Sequence, residues 1–216
     1  MTVPQPLSWV GPESGARAVT ERLDLAANAL PMGGNWYPEE PVLGLLIDQI
    51  ESLNTPRIVC CGAGLGAVIA ARTVAQQGTG QVWVIEDDPL ALAVTSDLLA
   101  EAGCRDDAVL IEAELADYGK GLWYAGHALG RLPTQFDLLF IDGPGHFAGP
   151  FPRWPAGPEL FHRMGEGGVV ILDDARRVKE KKALKRWGEA YPWLRRDRKA
   201  DRGGAAVLRV DHSGWS

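Results

Sequence analysis

The order of segments predicts an α/β fold, a doubly wound and mostly parallel sheet in one domain. Three observations carry this expectation. Short apolar runs alternate with helical stretches along the chain. The first run breaks into a glycine-rich turn that opens directly into an alanine-rich helical stretch. Acidic residues close several runs at their carboxyl ends, where such sheets bind ligands.

Taken in order, residues 1–20 contain Pro, Gly and Ser without periodicity and read as a flexible N-terminal arm, leaving 21–216 as the domain. A short helix is expected over Glu21–Ala27. The segment Leu30–Pro38 is rich in turn formers and aromatics and reads as a loop. Pro38-Glu-Glu-Pro41 starts a helix whose apolar stripe includes Val42, Leu46 and Ile50. Residues 57–61 form the first strand, and its helix runs from about 65 to 77. A second strand spans Gln81–Glu86. Asp88 caps the next helix, Pro89 suits its first position, and Leu90, Val94 and Leu98 form its stripe up to Gly103. Val109–Glu112 is a third strand. Residues 115–134 carry no clear period. Phe136–Ile141 is the fourth sheet strand, and a Pro-rich loop over 147–158 leads to a short helix at Glu159–Met164. Val169–Leu172 is the fifth strand. A charged helix follows over 179–190, with Leu184, Trp187 and Tyr191 on its apolar side. Strand candidates near 194–199 and 205–210 flank Gly203-Gly204 and suggest a hairpin. Crossovers between the parallel strands should be right-handed.

Composition narrows the function classes. The chain has 216 residues, 46% hydrophobic and 23% charged, as in an ordinary globular protein. No apolar run approaches the roughly 20 residues that span a bilayer. Met1–Pro6 lacks the basic and apolar regions of a signal peptide, so a cytoplasmic location is expected. Cys60, Cys61 and Cys104 have no metal-type spacing and read as small core residues in a reducing compartment. A net charge of −6 argues against general nucleic-acid binding. Arg176–Arg209 nevertheless holds 13 of the 22 basic residues, either a solvated helix face or a basic rim for an anionic substrate or partner.

The glycine turn points to a nucleotide-like cofactor. Glycines let backbone approach a ligand, and the following helix N-terminus offers N–H groups and a positive dipole. Gly62-Ala-Gly-Leu-Gly66 fits G-x-G-x-G, common where S-adenosylmethionine binds. Read as Gly62, Gly64 and Ala67, it also fits the dinucleotide fingerprint. Glu86, 20 residues past Gly66, can accept from ribose hydroxyls in either cofactor. The turn and Glu86 alone leave both open.

The chain resembles class I S-adenosylmethionine-dependent methyltransferases over roughly residues 36–210, and its second half decides between the cofactors. Phe136–Gly145 is similar to that superfamily's motif after the fourth strand, and Val169–Asp174 to its fifth-strand end. Glu86-Asp-Asp-Pro89, Trp123-Tyr124, the Asp142-Gly-Pro turn, Asp173-Asp-Ala-Arg176, Trp187 and Tyr191-Pro192 resemble, in order and spacing, a small bacterial group related to catechol-type O-methyltransferases. The resemblance implies a Rossmann-like sheet with an antiparallel C-terminal strand. It implies methyl transfer from S-adenosylmethionine to a small-molecule acceptor, at oxygen rather than nitrogen, with no nucleic-acid or membrane partner, and it admits a homodimer.

It also implies roles. The backbone of Gly62, Ala63, Gly64 and Gly66 would face the methionine part of the cofactor. Glu86 would take the ribose, Asp87 and Ala113-Glu114 would lie near the adenine, and Asp142 would stand closest to the methyl group. His146 lies four residues on, and histidine as a residue type suits general-base work. Asp142, Asp173 and Asp174 match the place where catechol-type relatives hold Mg²⁺ with an Asp and an Asp-Asn pair, although here the pair is Asp-Asp. Asp174 has other uses in view, a pairing with Arg176 or Arg177 or a cap on the next helix. Two positions before the first glycine, where the superfamily often has an acidic residue that fixes the cofactor loop, stands Cys60. An NAD(P)-binding oxidoreductase and a non-catalytic scaffold are the alternative readings. Trp36, Trp123 and Trp154 are candidates for packing or for an acceptor lid. The segments expected to shape the acceptor pocket are 28–40, 117–134 and 146–158.

Overall fold

The computed structural model describes residues 16–25 and 38–213. Nine strands and seven α-helices are present among them: α1 (Ala16–Arg22), α2 (Glu40–Glu51), β1 (Arg57–Cys61), α3 (Leu65–Gln77), β2 (Gln81–Glu86), α4 (Pro89–Glu101), β3 (Ala108–Glu112), β4 (Leu115–Asp117), β5 (Leu122–Tyr124), α5 (Gly126–Leu129), β6 (Phe136–Ile141), α6 (Ala156–Leu160), β7 (Met164–Leu172), α7 (Val178–Ala190), β8 (Leu194–Arg196) and β9 (Ala206–Val210).

Seven strands form one sheet in the order β3-β2-β1-β6-β7-β9-β8. The first five run parallel, and β9 pairs antiparallel with both β7 and β8. The expected doubly wound sheet with a reversed C-terminal strand is therefore present. The chain moves from β1 outward to β3, then returns to the other side of β1 at β6. That reversal is the switch point at which such sheets bind ligands, beyond the strands' carboxyl ends.

The near-continuous apolar runs are explained by helices on both faces. Side chains alternate along each strand. Ile58, Cys60, Leu138, Phe140, Val169 and Ile171 enter one core with α2, α3 and α4. Val59, Cys61, Leu139, Ile141, Val170 and Leu172 enter the other with Trp123, Phe161 and Trp187. All three cysteines are free and buried, as expected of core residues.

Several local expectations are corrected. The first helix spans Ala16–Arg22 rather than 21–27, because Val19 and Leu23 turn one face into the core. Leu90 is 58% exposed, so the buried face of α4 is Leu92, Thr95, Leu98 and Leu99 instead of a stripe through Leu90. The helix expected at Glu159–Met164 begins earlier, at Ala156, and gives way to a 3-10 turn at Phe161–Arg163. The fifth parallel strand starts at Met164, which pairs with Phe136; the register then shifts across the glycine-bearing residues 165–168, which carry no apolar signal, and resumes at Val169 opposite Leu138. The unplaced segment 115–134 holds the hairpin β4–β5 and then α5. Most of the 1–20 arm, nearly all of the 28–40 loop and Trp36 lie outside the described residues.

Candidate active site

The carboxyl ends of β1, β2, β3, β6 and β7 bring the predicted residues to one edge of the sheet. At the end of β1 the chain must turn within a few residues into α3. Gly62 takes φ +105°, which favours glycine, and a Cβ there would lie 2.9 Å from the Gly143 nitrogen. Gly143 follows β6, so the two strand-end loops touch through bare backbone. Gly66 serves a different need. Its Cα faces the Phe140 ring, and a Cβ would sit 2.4 Å from a ring carbon. The third glycine is thus a packing requirement between α3 and β6.

The turn is held by two side chains from other elements. Glu86 Oε2 accepts from the Ala63 N–H at 2.8 Å, and Oε1 accepts from the Asp87 and Asp88 N–H groups at 2.8 and 3.0 Å. Thr95, fully buried on α4, accepts from the Gly64 N–H at 2.8 Å. Cys60 is fully buried in the core. The anchoring expected of an acidic residue at that position is supplied here by Glu86 and Thr95. Asp88 caps α4 by accepting from the Leu90 N–H at 2.9 Å, as the sequence predicts.

Ala113 is buried and donates its N–H to the Glu86 carbonyl at 2.8 Å, which sets it beside the glycine turn. Glu114 is exposed at the rim. Burial, with the Glu86 charge beside it, pushes the Asp87 carboxyl up to about 6. The Tyr124 hydroxyl is buried without a hydrogen-bond partner among the described residues. It lies 2.6 Å from where a Gly143 side chain would begin, at the junction of the two loops.

Asp142, Asp173 and Asp174 converge, each offering a carboxylate oxygen within 4.8 Å of the others. Asp174 adopts φ +55°, accepts from Arg177 at 2.8 Å, and donates its N–H to Asp173 Oδ1 at 2.7 Å. Burial and the Asp142 charge push the Asp173 carboxyl up to about 7. Burial raises Asp142 as well, against the pull of Arg153.

Arg153 is the residue that the sequence reading missed. It comes from the loop Phe151-Pro-Arg-Trp-Pro155, and only 4% of it is exposed. One terminal nitrogen donates to the Asp142 carbonyl at 2.5 Å, to Asp142 Oδ1 at 3.1 Å and to Asp174 Oδ2 at 3.2 Å. The other donates to the Asp173 carbonyl at 2.9 Å. Buried Glu180, on α7, brings Oε1 to 3.9 Å from Nε. A lone arginine in a Pro- and aromatic-rich loop is the one signal the sequence offers for it. A divalent cation at these carboxylates would have to displace a buried guanidinium, so the donor set as it stands does not fit Mg²⁺.

His146 is exposed in a 3-10 turn whose backbone carbonyl accepts from Lys179 Nζ at 2.8 Å. It stands at the rim, outside the aspartate cluster. Trp123 is buried against Tyr124, with ring centroids 4.9 Å apart, and Trp154 packs near Tyr118. The basic segment is mostly solvated or paired, as in Arg196–Asp201 and Arg209–Asp197. A groove of about 360 Å³ between α7 and β8, bordered by Lys181, Lys185 and Arg198, lies on the sheet's flank and contains none of the strand-end residues.

No protein-family model matches the chain. A tryptophan 2-monooxygenase of Pseudomonas savastanoi is 29% identical over 126 residues, 56% of this chain, which spans only 23% of that enzyme. Solved structures share the fold over nearly the whole length. An O-methyltransferase of Bacillus cereus in complex with S-adenosylhomocysteine aligns over 94% of this chain and 93% of its own, at TM-score 0.57 and 16% identity. An O-methyltransferase of Streptomyces achromogenes, involved in tomaymycin synthesis and solved with S-adenosylmethionine, aligns over 94% and 92%, at 0.58 and 16%. A precorrin-6y C5,15-methyltransferase of Geobacter metallireducens aligns over 83% and 91%, at 0.58 and 16%.

Proposed function

We propose that the chain is an S-adenosylmethionine-dependent methyltransferase acting on a small-molecule acceptor, at oxygen. The observation that carries this reading is the pairing of the open glycine turn with Glu86 at the switch point of a sheet closed by the reversed strand β9. The O-methyltransferases of the same fold support the choice of cofactor and of acceptor atom. The site fits the cofactor in one further respect: the Tyr124 hydroxyl, a buried donor without a hydrogen-bond partner among the described residues, stands beside Gly143 and the glycine turn.

When bound, the cofactor supplies a methyl carbon already activated on a sulfonium sulfur. The protein must then orient the acceptor in line with that carbon and accept its proton. Gly62, Ala63, Gly64 and Gly66 present backbone to the methionine part. Glu86 would hold the ribose hydroxyls, and Asp87, Ala113 and Glu114 would border the adenine. Asp142 is the carboxylate nearest the acceptor. Its environment disfavours the charged form, which suits it to take a proton from an acceptor hydroxyl, and His146 at the rim passes that proton to solvent. Transfer would join the acceptor oxygen to the methyl carbon and would leave the electrons of the broken carbon–sulfur bond on sulfur. Free, buried thiols support a reducing compartment such as the cytoplasm. Among the described residues no helix is long and apolar enough to cross a membrane.

Titration calorimetry of the full chain with S-adenosylmethionine, S-adenosylhomocysteine and NAD tests the reading. Binding of the first two without NAD is expected. Preference for NAD would return the oxidoreductase reading, and silence toward all three would leave a non-catalytic scaffold.

A further inference from the structure

The strand-end aspartates have the spacing of a hard-cation site, yet a cation of the protein's own already stands among them. Three features of Arg153 bear on its role. Its side chain is almost wholly buried, so its charge is not a solvated surface charge that drifted toward acidic neighbours. Its terminal nitrogens reach both strand ends at once: the carbonyl and Oδ1 of Asp142 after β6, and the Asp173 carbonyl and Asp174 Oδ2 after β7. Its Nε lacks a hydrogen-bond partner among the described residues, and a carboxylate oxygen of Glu180 stands 3.9 Å from it. The guanidinium is thus placed for Asp142 and Asp174, with Glu180 balancing it from behind.

We propose that Arg153 is a built-in substitute for a divalent cation: a positioning residue that holds the carboxylates of Asp142 and Asp174 across the β6 and β7 ends and closes the cluster to metal. A guanidinium suits this task because it is planar, permanently charged and weakly hydrated; here one terminal nitrogen reaches both carboxylates while the other holds the Asp173 carbonyl. A bound Mg²⁺ would orient oxygens equally well but would need several open coordination positions and retained waters, which the buried fork denies. The role of these carboxylates toward an acceptor rests on the methyl-transfer reading. The exclusion of metal does not.

Manganese is the probe, because its free fraction is read directly by electron paramagnetic resonance without turnover. The purified full chain should leave Mn²⁺ free throughout a titration that would saturate an ordinary carboxylate site of Kd about 10⁻⁴–10⁻³ M. Arg153→Met removes the charge at similar length and should bind Mn²⁺ at least about tenfold more tightly than the wild type. Adding Asp142→Ala to that variant removes one of the three carboxylates and should abolish the gain. Saturable binding by the wild type that Asp142→Ala removes overturns the proposal, whether or not any Arg153 variant folds. A folded Arg153→Met that leaves Mn²⁺ free overturns it too, because the aspartates would then be an ion-pair cluster and not a cation site. If Arg153→Met does not fold in metal-free buffer, refolding with excess Mn²⁺ is followed by circular dichroism. Recovery supports the proposal, and failure to recover counts against it. Calorimetry with S-adenosylhomocysteine on the same wild-type sample reports separately on the methyl-transfer reading.

Discussion

A methyl group on Gly66 would lie 2.4 Å from a carbon of the Phe140 ring, closer than packed atoms approach. Gly66→Ala should gain up to about 1 kcal/mol of helix propensity and lose about 1–3 kcal/mol to overpacking. A net loss in urea unfolding is the expected outcome, and Phe140→Leu should relieve it. Equal stability of Gly66→Ala and wild type would show that the ring moves aside freely. The glycine itself was legible from the sequence, because its motif lies in consecutive residues. Its purpose was not, since Phe140 is 74 residues away along the chain and meets it only through helix–strand packing. Arg153 was illegible for the same reason: its partners Asp142, Asp174 and Glu180 come from three separate segments.

At the scale of elements, the glycine turn belongs to β1 and α3 but is held by β2 and α4. Thr95 sits in a helix face otherwise filled by leucines, and its hydroxyl accepts the Gly64 N–H. Thr95→Val keeps the shape and removes the acceptor, at a cost of about 1–3 kcal/mol for the unsatisfied N–H. S-adenosylhomocysteine affinity should fall about tenfold in Thr95→Val, equivalent to roughly 1.4 kcal/mol. Thr95→Ser should stay near the wild-type value. Calorimetry that finds Thr95→Val and Thr95→Ser equal would free the turn from α4. Periodicity placed α4 correctly but misjudged its buried face, because Leu90 is as apolar as Leu92 and only the neighbouring elements decide which is covered.

Acidic side chains gather at one edge of the sheet: Glu86, Asp87, Asp142, Asp173 and Asp174 stand at the carboxyl ends of β2, β6 and β7. Burial, and then the crowding of Glu86 beside it, raise Asp87 to about 6 in the folded chain, from an ordinary 3.8. A raised folded-state pKa means that the folded state holds the proton more tightly than the unfolded chain does. The stability Asp87 contributes is therefore complete below about pH 4 and is lost as pH rises through about 6. Asp87→Asn should match wild type in urea midpoint near pH 4 and exceed it above pH 7, with a smaller difference at high salt. A wild-type-minus-variant difference that does not change with pH would show that Asp87 is not crowded. The sequence by itself determined the strands, the helices, their alternation and the glycine turn, because each is written in neighbouring residues through period, caps and turn chemistry. It also marked the carboxylates at the strand ends. Only the tertiary structure decided what surrounds them, seating Arg153 among the aspartates and Glu86 and Thr95 on the turn. Those contacts join segments far apart in the chain, and a one-dimensional pattern carries no term for charges that meet only when the sheet is assembled.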